Sequence, residues 1–258
     1  TSIRYMRPDL AEDPRAVAVF GEVGVGYLDE AAVAPVADRV VNVGIREQLV
    51  IGVAGGLVRD IDRDGRVVRS TELGTFDWWL RAGRKGEAPP EGMPAFFFPE
   101  GASMLRRSAF LEVGGFFEPY FHFSAEIDLA TRLLGAGWDV RYVPAARLDH
   151  LKAPGGRSSD QALYLRIRNN LWYLWLRFPV SVAVPRTAGY LLFDLIDATY
   201  QRHPGAWARG VRDAWRQREL VRGERRPVTH EVRRRAELNR GRAHVQLLLG
   251  QLRRRVHR

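Results

Sequence analysis

The sequence predicts an α/β fold in which strands occupy the first 150 residues and helices follow. A short apolar run, Ala16 to Phe20, has the length and composition of a buried strand. Residues 52 to 70 hold two strand-like segments around the pair Asp64-Gly65, the pattern of a β-hairpin. From Asp160 onward apolar residues recur close to every 3.6 positions, which indicates helix: Leu163, Ile167, Leu171, Leu174 and Trp175.

Length and composition set the outer limits on the class of protein. The chain has 258 residues, of which 46% are hydrophobic, so it can bury one large core or two small ones. The absence of cysteine excludes disulfides, zinc-thiolate sites and cysteine nucleophiles, and it suits a cytoplasmic location. Because the chain begins with Thr1 and shows no charged-then-apolar leader, we expect a fragment or trimmed chain without a secretory signal.

The net charge of +10 is concentrated in the last quarter of the chain. From Arg202 to Arg258 there are 17 arginines and 5 acids, which leaves a net charge of −2 on the first 201 residues. Such a tail is suited to an anionic membrane surface or to nucleic acid. Lys85 and Lys152 are the chain's lysines, so arginine is favoured throughout and a solvated basic helix remains open. Nucleic acid is the least favoured partner.

Residues 1 to 57 carry a signature of their own. The stretch from Pro35 to Val58, PVADRVVNVGIREQLVIGVAGGLV, reads as strand, turn and helix. It resembles the pyrimidine-binding domain of transketolase-like thiamine diphosphate enzymes, whose DRxxNVGIxEQ segment carries a glutamate before a helix of small residues. The resemblance implies that Glu47 would bond the aminopyrimidine ring of thiamine diphosphate. The alternative is that Glu47 is a first-turn glutamate favoured by the helix dipole.

A second signature runs from Phe98 to His150. Its parts follow a fixed order: a Gly-Ala segment with an arginine pair, a Val-Gly-Gly-Phe turn, an acidic helix start, a Gly-Trp turn, a short strand ending in Val-Pro, and a closing histidine. This order resembles the acceptor-side half of inverting family 2 glycosyltransferases. The resemblance implies an incomplete GT-A (Rossmann-like) glycosyltransferase domain followed by C-terminal amphipathic helices.

The acidic helix start supplies the candidate catalytic base. Inversion at a sugar carbon requires a base for the acceptor hydroxyl, and the family places it in an acidic pair that corresponds here to Ala125-Glu126-Ile127-Asp128. The register points to Glu126, with Asp128 as the second choice. Carboxylates at positions i and i+2 of a helix point about 200° apart, so one of the two is expected to cap the helix or to pair with Arg132.

Other candidate site residues follow from the same resemblance. His150 is the candidate ligand for a divalent metal, Mg²⁺ or Mn²⁺, with Asp149 as a substitute. The candidate contacts to acceptor or diphosphate are Gly101, Ala102, Arg106, Arg107 and Trp78. The family's Asp-x-Asp metal motif has no equivalent, because Asp60-Ile61-Asp62 falls where turn residues of the hairpin are expected. The chain is therefore expected to lack the donor-binding half.

The C-terminal third is expected to lie near a membrane. The string RNNLWYLWLRFP, ending at Pro179, resembles the helix that follows the catalytic domain in family 2 enzymes acting on lipid-linked glycans, and it could instead pack on the catalytic domain. Val180 to Tyr200 is apolar but interrupted by one proline and three charged residues, so peripheral attachment at the inner face of the plasma membrane is favoured over spanning.

We therefore expect an inverting glycosyltransferase, rhamnosyltransferase-like, that moves a sugar from a nucleotide-sugar donor to a cell-envelope or lipid-linked glycan. The alternatives are a thiamine diphosphate enzyme fragment that uses Glu47 and a non-enzymatic basic protein that binds membranes or nucleic acid. The expected segments are a transketolase-like head, possibly fused, an acceptor-side domain, membrane-proximal helices and an arginine-rich tail: 1–57, 58–156, 157–220 and 221–258.

Overall fold

The computed structural model describes residues 3–5, 17–21, 51–61, 66–70, 92–99, 103–151 and 159–234. The chain divides into two compact units. The sheet unit comprises Thr1–Gly115, Ala130–Ala153 and Arg234–Arg258, and the helical unit comprises Phe116–Leu129 and Pro154–Arg233. The predicted α/β class with C-terminal helices is confirmed. The predicted segment boundaries stay predictions.

The sheet unit contains one mixed sheet of seven described strands. Its order is β1-β2-β6-β3-β7-β5, and β4 lies beside β3. Strands β3 and β7 run parallel, and the other neighbours are antiparallel. The predicted strand at Ala16 to Phe20 is confirmed as β2. The strand bounds are β1 Ile3–Tyr5, β2 Val17–Gly21, β3 Ile51–Ile61, β4 Val67–Ser70, β5 Met93–Pro94, β6 Ser103–Arg106 and β7 Asp139–Leu151.

Strand β3 corrects the prediction of a helix of small residues after Glu47. Residues 51–61 are extended, and β3 pairs with β4, β6 and β7. The small residues have a packing reason: a Cβ on Gly52 would lie 2.9 Å from Cβ of Trp138, and one on Gly55 would lie 2.8 Å from Cβ of Phe98. Glycine is needed here because neighbouring segments of the same polypeptide approach the strand closely. Glu47 itself lies outside the described residues.

The predicted hairpin is confirmed, with β3 and β4 as its strands. Asp60 was expected in the turn, and that prediction is wrong, because β3 extends through Ile61. The strand predicted to end in Val-Pro also runs further, so that β7 continues past Pro144 to Leu151. Both extensions have one cause, since the second halves of β3 and β7 pair in parallel and give each other backbone partners.

Two short helices lie between β6 and β7 in the chain, α1 (Arg107–Glu112) and α2 (Ala125–Gly135). The predicted Val-Gly-Gly-Phe turn lies between them, where Gly114 and Gly115 have φ of 79° and 70°. The predicted Gly-Trp turn follows α2, with Gly137 at φ 88°. Both turns use backbone angles that residues with a Cβ avoid.

Four helices build most of the helical unit: α3 (Ser159–Arg177), α4 (Val180–Tyr200), α5 (Pro204–Arg216) and α6 (Arg218–Gly223). The predicted helix after Asp160 is confirmed as α3. Its aromatic stretch is buried: Trp172 is 2% exposed and Tyr173 is fully covered. The segment expected to face a membrane is therefore core. No helix in the described part of the chain has the length and apolar character needed to cross a bilayer.

Candidate active site at the start of helix α2

The two acidic residues in the first turn of α2 differ in their solvent exposure. Asp128 is 0% exposed, whereas Glu126 is only partly covered. Ile127 and Leu129, at 3% and 0% exposure, pack inward on either side of Asp128. The separation follows from helix geometry, because residues two apart point in nearly opposite directions. Both carboxylates also lie in the first turn, where the helix dipole favours negative charge.

Asp128 is held in a buried ion pair with Arg177, the last residue of α3. Nε of Arg177 donates to Oδ1 of Asp128 at 2.5 Å, and Nη2 donates to Oδ2 at 3.2 Å. Burial lowers the pKa of Arg177, but the charge and hydrogen bond of Asp128 raise it by more, so the net pKa shift is upward. Both oxygens of this buried carboxylate are bonded to one guanidinium and are closed off from solvent. The geometry favours Glu126 over Asp128 as a base.

Arg132, the expected partner of Asp128, bonds a carbonyl in the sheet unit. Its Nη1 donates to the backbone oxygen of Val113 at 2.5 Å, which ties α2 to the turn after α1. Arg177 occupies both oxygens of Asp128 from 49 residues away. Residues so far apart in the sequence form no local sequence pattern from which their pairing could be predicted.

The segment that leads into α2 has an unusual backbone. Phe121, Phe123 and Ser124 have φ of 61°, 60° and 63°, the left-handed region that residues other than glycine seldom adopt. The segment is bonded by α3, since the amide nitrogen of Asn169 donates to the carbonyls of Tyr120, His122 and Phe123. The start of α2 is thus fixed on both sides by one helix.

The arginine pair lies at the junction of β6 and α1. Arg106 donates from Nε to the carbonyl of Ile51 at 3.0 Å, and its guanidinium lies 5.6 Å from the ring centre of Trp138. Nε of Arg107 is buried without a hydrogen-bond partner in the described structure. The predicted acceptor or diphosphate contacts by these two residues stay predictions.

His150 and Asp149 belong to β7, where their Cα atoms pair with those of Asp60 and Arg59 in β3. Within the described ranges no three His, Cys, Asp or Glu side chains group together as a metal site would require. His150 as metal ligand therefore stays a prediction. Gly101, Ala102, Trp78 and Glu47 lie outside the described residues. Glu126 and Asp128 belong to the helical unit, and Arg106, Arg107 and His150 to the sheet unit.

Comparison with known proteins identifies relatives for part of the chain. No family model matches. Two strains of Mycobacterium tuberculosis, CDC 1551 / Oshkosh and ATCC 25618 / H37Rv, have an N-acetylglucosaminyl-diphospho-decaprenol L-rhamnosyltransferase that is 36% identical over 143 residues. The match covers 48% of this chain and 45% of the relative, so the chain spans about half the length of these relatives.

Two further matches are shorter or weaker. An uncharacterised 33.6 kDa protein of the fasciation locus of Rhodococcoides fascians is 56% identical over 48 residues, which cover 19% of this chain and 15% of that protein. A crystal structure of GalNAc-T7 with UDP, GalNAc and Mn²⁺ superposes at a TM-score of 0.33 with 16% identity, over 50% of this chain and 27% of that one, a likeness too low to support an argument. The expected relationship to family 2 glycosyltransferases is confirmed by homology to the mycobacterial rhamnosyltransferase over about half of the chain.

Proposed function

We propose that the chain is part of an inverting glycosyltransferase of the GT-A type that transfers a sugar, rhamnose or a related hexose, from a nucleotide-sugar to a lipid-linked glycan. The observation that carries the proposal is the difference between the two acids at the start of α2, where Asp128 is buried against Arg177 and Glu126 is partly exposed. Homology supports it, because the mycobacterial relative is named for rhamnosyl transfer onto a lipid-linked N-acetylglucosamine.

Glu126 would act as the general base. Its carboxylate takes the proton of the acceptor hydroxyl while that oxygen forms the new bond to the anomeric carbon. The bond from the anomeric carbon to the diphosphate oxygen breaks on the opposite face, so the configuration inverts and the nucleoside diphosphate leaves. Mg²⁺ or Mn²⁺ would neutralise the leaving group when bound. The described residues do not form a ligand set for this ion, so no step is assigned to it.

The thiamine diphosphate alternative receives no support. The helix that it requires after Glu47 is strand β3 from Ile51 onward. The relatives that carry a named activity are rhamnosyltransferases. The alternative is therefore withdrawn.

The base is tested by transfer from dTDP-L-rhamnose to a synthetic N-acetylglucosaminyl-diphospho-prenol in the presence of Mn²⁺. Glu126→Gln keeps the size of the side chain and removes the proton acceptor, so we expect the transfer rate to fall by about 10²-fold to 10⁴-fold. Glu118→Gln is the matched control, because Glu118 is exposed in the same segment. Equal rates in both variants and the wild type would overturn the assignment.

We further propose peripheral attachment to an anionic membrane at its inner face, through α4. Among the exposed residues of α4 none is charged, because Asp194 and Asp197 are turned inward at 2% and 6% exposure. The exposed residues are Val180, Ser181, Val184, Pro185, Ala188, Gly189, Leu192, Leu195, Ile196, Thr199 and Tyr200. Apolar helix faces of this kind settle at the lipid headgroup boundary.

Charge complementarity argues for lipid as the partner of this face. Residues 201 to 234, which follow α4, contain ten arginines and four acids. Arginine near an anionic bilayer contributes about 1 kcal/mol each. The uncharged face and the basic segment after it together fit a bilayer surface better than a neutral protein partner.

Vesicle flotation tests this attachment with phosphatidylglycerol-containing and pure phosphatidylcholine vesicles. Leu192 is 62% exposed, so Leu192→Glu should weaken binding to anionic vesicles by about tenfold or more through lost apolar contact. Ala208→Glu, at an exposed position of α5, makes the same charge change away from the face and should bind nearly as the wild type does. Identical flotation of both variants would contradict the role of α4.

A further inference from the structure

Three consecutive polar residues of α3 are buried against the loop that leads into α2. Arg168, Asn169 and Asn170 are 9%, 0% and 8% exposed in a helix whose other buried residues are mostly apolar. Buried polar groups are retained where their hydrogen bonds are satisfied and specify one arrangement. The partners of these three side chains therefore identify what the arrangement fixes.

All three side chains bond the loop from Pro119 to Ser124. The amide nitrogen of Asn169 donates to the carbonyls of Tyr120 at 2.9 Å and Phe123 at 3.0 Å, and also to that of His122. Since an amide has two hydrogens, three carbonyls share them. The remaining bonds come from Arg168 Nη2 to the carbonyls of Pro119 and Tyr120, and from Ser124 Oγ to Asn170 Oδ1 at 3.2 Å.

The loop held in this way is strained. The backbone nitrogen of His122 donates to the carbonyl of Tyr120 at 2.6 Å across Phe121, whose φ and ψ are 61° and −49°. This is a γ-turn of the positive-φ kind, which is rare and unfavourable. Phe123 and Ser124 follow with φ of 60° and 63°. Each such residue is unfavourable and persists only where surrounding contacts over-determine it.

The ring of Phe121 adds to the cost of the loop conformation. It is 74% exposed, although burial of a phenyl side chain is favourable. The positive φ and the exposed ring of Phe121 thus both disfavour this conformation. The bonds from α3 to the loop carbonyls oppose its relaxation.

Helix α3 also holds the other side of the first turn of α2. Asn170 bonds Ser124 and Arg177 bonds Asp128, and these two α3 residues lie seven positions apart, close to two full turns on the same face. The backbone nitrogen of Asp128 closes the turn on the carbonyl of Ser124 at 3.0 Å. Glu126 lies midway between the two anchored residues.

We propose that Asn169, supported by Arg168 and Asn170, is a positioning residue for Glu126: it holds the strained loop from Tyr120 to Ser124 in the one conformation that places the first turn of α2 for proton removal. This inference rests on the proposed glycosyl transfer. Proton transfer in a displacement demands placement of the base within a fraction of an ångström, and a displacement of about 1 Å costs about 10²-fold in rate. Strain near a catalytic group is a recurring means of such placement.

The test uses Asn169→Leu, which keeps the volume and removes both donors. We expect kcat for rhamnosyl transfer from dTDP-L-rhamnose to fall by about 10- to 100-fold, while KM for the prenyl-diphosphate acceptor changes by less than about threefold. Hydrogen–deuterium exchange of residues 119–129 should accelerate by at least about tenfold, without change in α5. The milder Ser124→Ala removes a single anchor, should shift both readouts in the same direction, and serves if Asn169→Leu does not fold.

Tyr164→Phe is the matched control, because it deletes one hydrogen bond from α3 to Asp213 of α5 and leaves the loop untouched. If residues 119–129 exchange equally fast in the control and in both loop variants, the proposal that α3 holds this loop is overturned. If the wild type catalyses transfer and the loop variants have the same kcat, only the positioning role is overturned. A wild type without transfer, in the presence of normal loop protection, would overturn the proposed function and with it the positioning role.

Discussion

Asp128 and Arg177 form a two-bond ion pair that joins the first turn of α2 to the last turn of α3, across 49 residues of sequence. The side chains are 0% and 4% exposed, so water screens the pair little. Tyr120 adds a longer contact from its hydroxyl to Oδ1 of Asp128 at 3.5 Å. The pair therefore fixes where α2 begins within the helical unit.

Breaking this pair from one side should destabilise the protein strongly. Arg177→Met leaves the carboxylate of Asp128 buried without its cation, and such changes cost about 3 to 5 kcal/mol in the free energy of unfolding. Replacing both partners, Asp128→Leu with Arg177→Met, removes the stranded charge and should recover most of that loss. Urea unfolding of the single and double variants measures both values. A double variant as unstable as the single one would contradict this account.

Gly210 of α5 allows a close approach to α3. A Cβ there would lie 3.0 Å from Cγ2 of Ile167 and 3.1 Å from the carbonyl oxygen of Tyr164, whereas one on Gly189 of α4 meets nothing within 4 Å. Both glycines lie inside helices, so alanine brings the same gain in helix propensity, about 1 kcal/mol. We expect Gly189→Ala to raise the free energy of unfolding by that amount and Gly210→Ala to raise it by less or to lower it. Thermal melting of the two variants compares them directly, and equal shifts would refute the packing explanation.

Gly55 of β3 should not tolerate a side chain. A Cβ at this position would lie 2.8 Å from both Cβ of Phe98 and Cδ of Pro99, and 3.1 Å from the backbone Cα of Phe98. Overpacking of this kind costs about 1 to 3 kcal/mol. Gly55→Ala should therefore lower the unfolding midpoint in urea. An unchanged midpoint would contradict this expectation and show that the segment around Phe98 moves to accommodate the added methyl group at no cost in stability.

Acid should weaken the contact between α3 and α5 through Asp213. The hydrogen bond from Arg212 is the largest cause that lowers the pKa of Asp213, burial opposes it, and the bond from the Tyr164 hydroxyl lowers the pKa further. Since the folded-state pKa lies below the unfolded value of about 3.9, this contribution is fully present above that value and is lost as the pH falls through the folded-state pKa. Asp213→Asn should thus destabilise more at pH 6 than at pH 2.5. Urea unfolding at the two pH values checks this, and an equal loss at both would contradict it.

Local patterns predicted most of the individual elements. The strand-like segments around the Asp64-Gly65 pair predicted the hairpin, the acidic pair predicted the start of α2, and the 3.6-residue repeat predicted α3. These features depend on neighbours within a few residues, which the sequence displays directly. Helix geometry also indicated that Glu126 and Asp128 point in different directions, whereas the choice of Glu126 as the base came from the family resemblance and stays a prediction.

Contacts between distant residues account for what the sequence did not reveal. Gly52 and Gly55 were open to both a helix and a strand interpretation, because the partners that demand glycine, Trp138 and Phe98, lie far along the chain. Asn169 was assigned to a membrane-facing helix, although three polar residues in a row inside an apolar helix indicate a buried network. Its partners, the loop carbonyls, became visible only in three dimensions.

The continuity of β3 bears on how this protein could have arisen. The predicted junction between a transketolase-like head and a glycosyltransferase body falls at residue 57, inside one strand of 11 residues that hydrogen-bonds to three others. A protein engineer who severed the polypeptide at that point would divide this strand and leave hydrogen-bonding edges open on its neighbours, which invites aggregation. A gene fusion at residue 57 would have had to supply both halves of this strand.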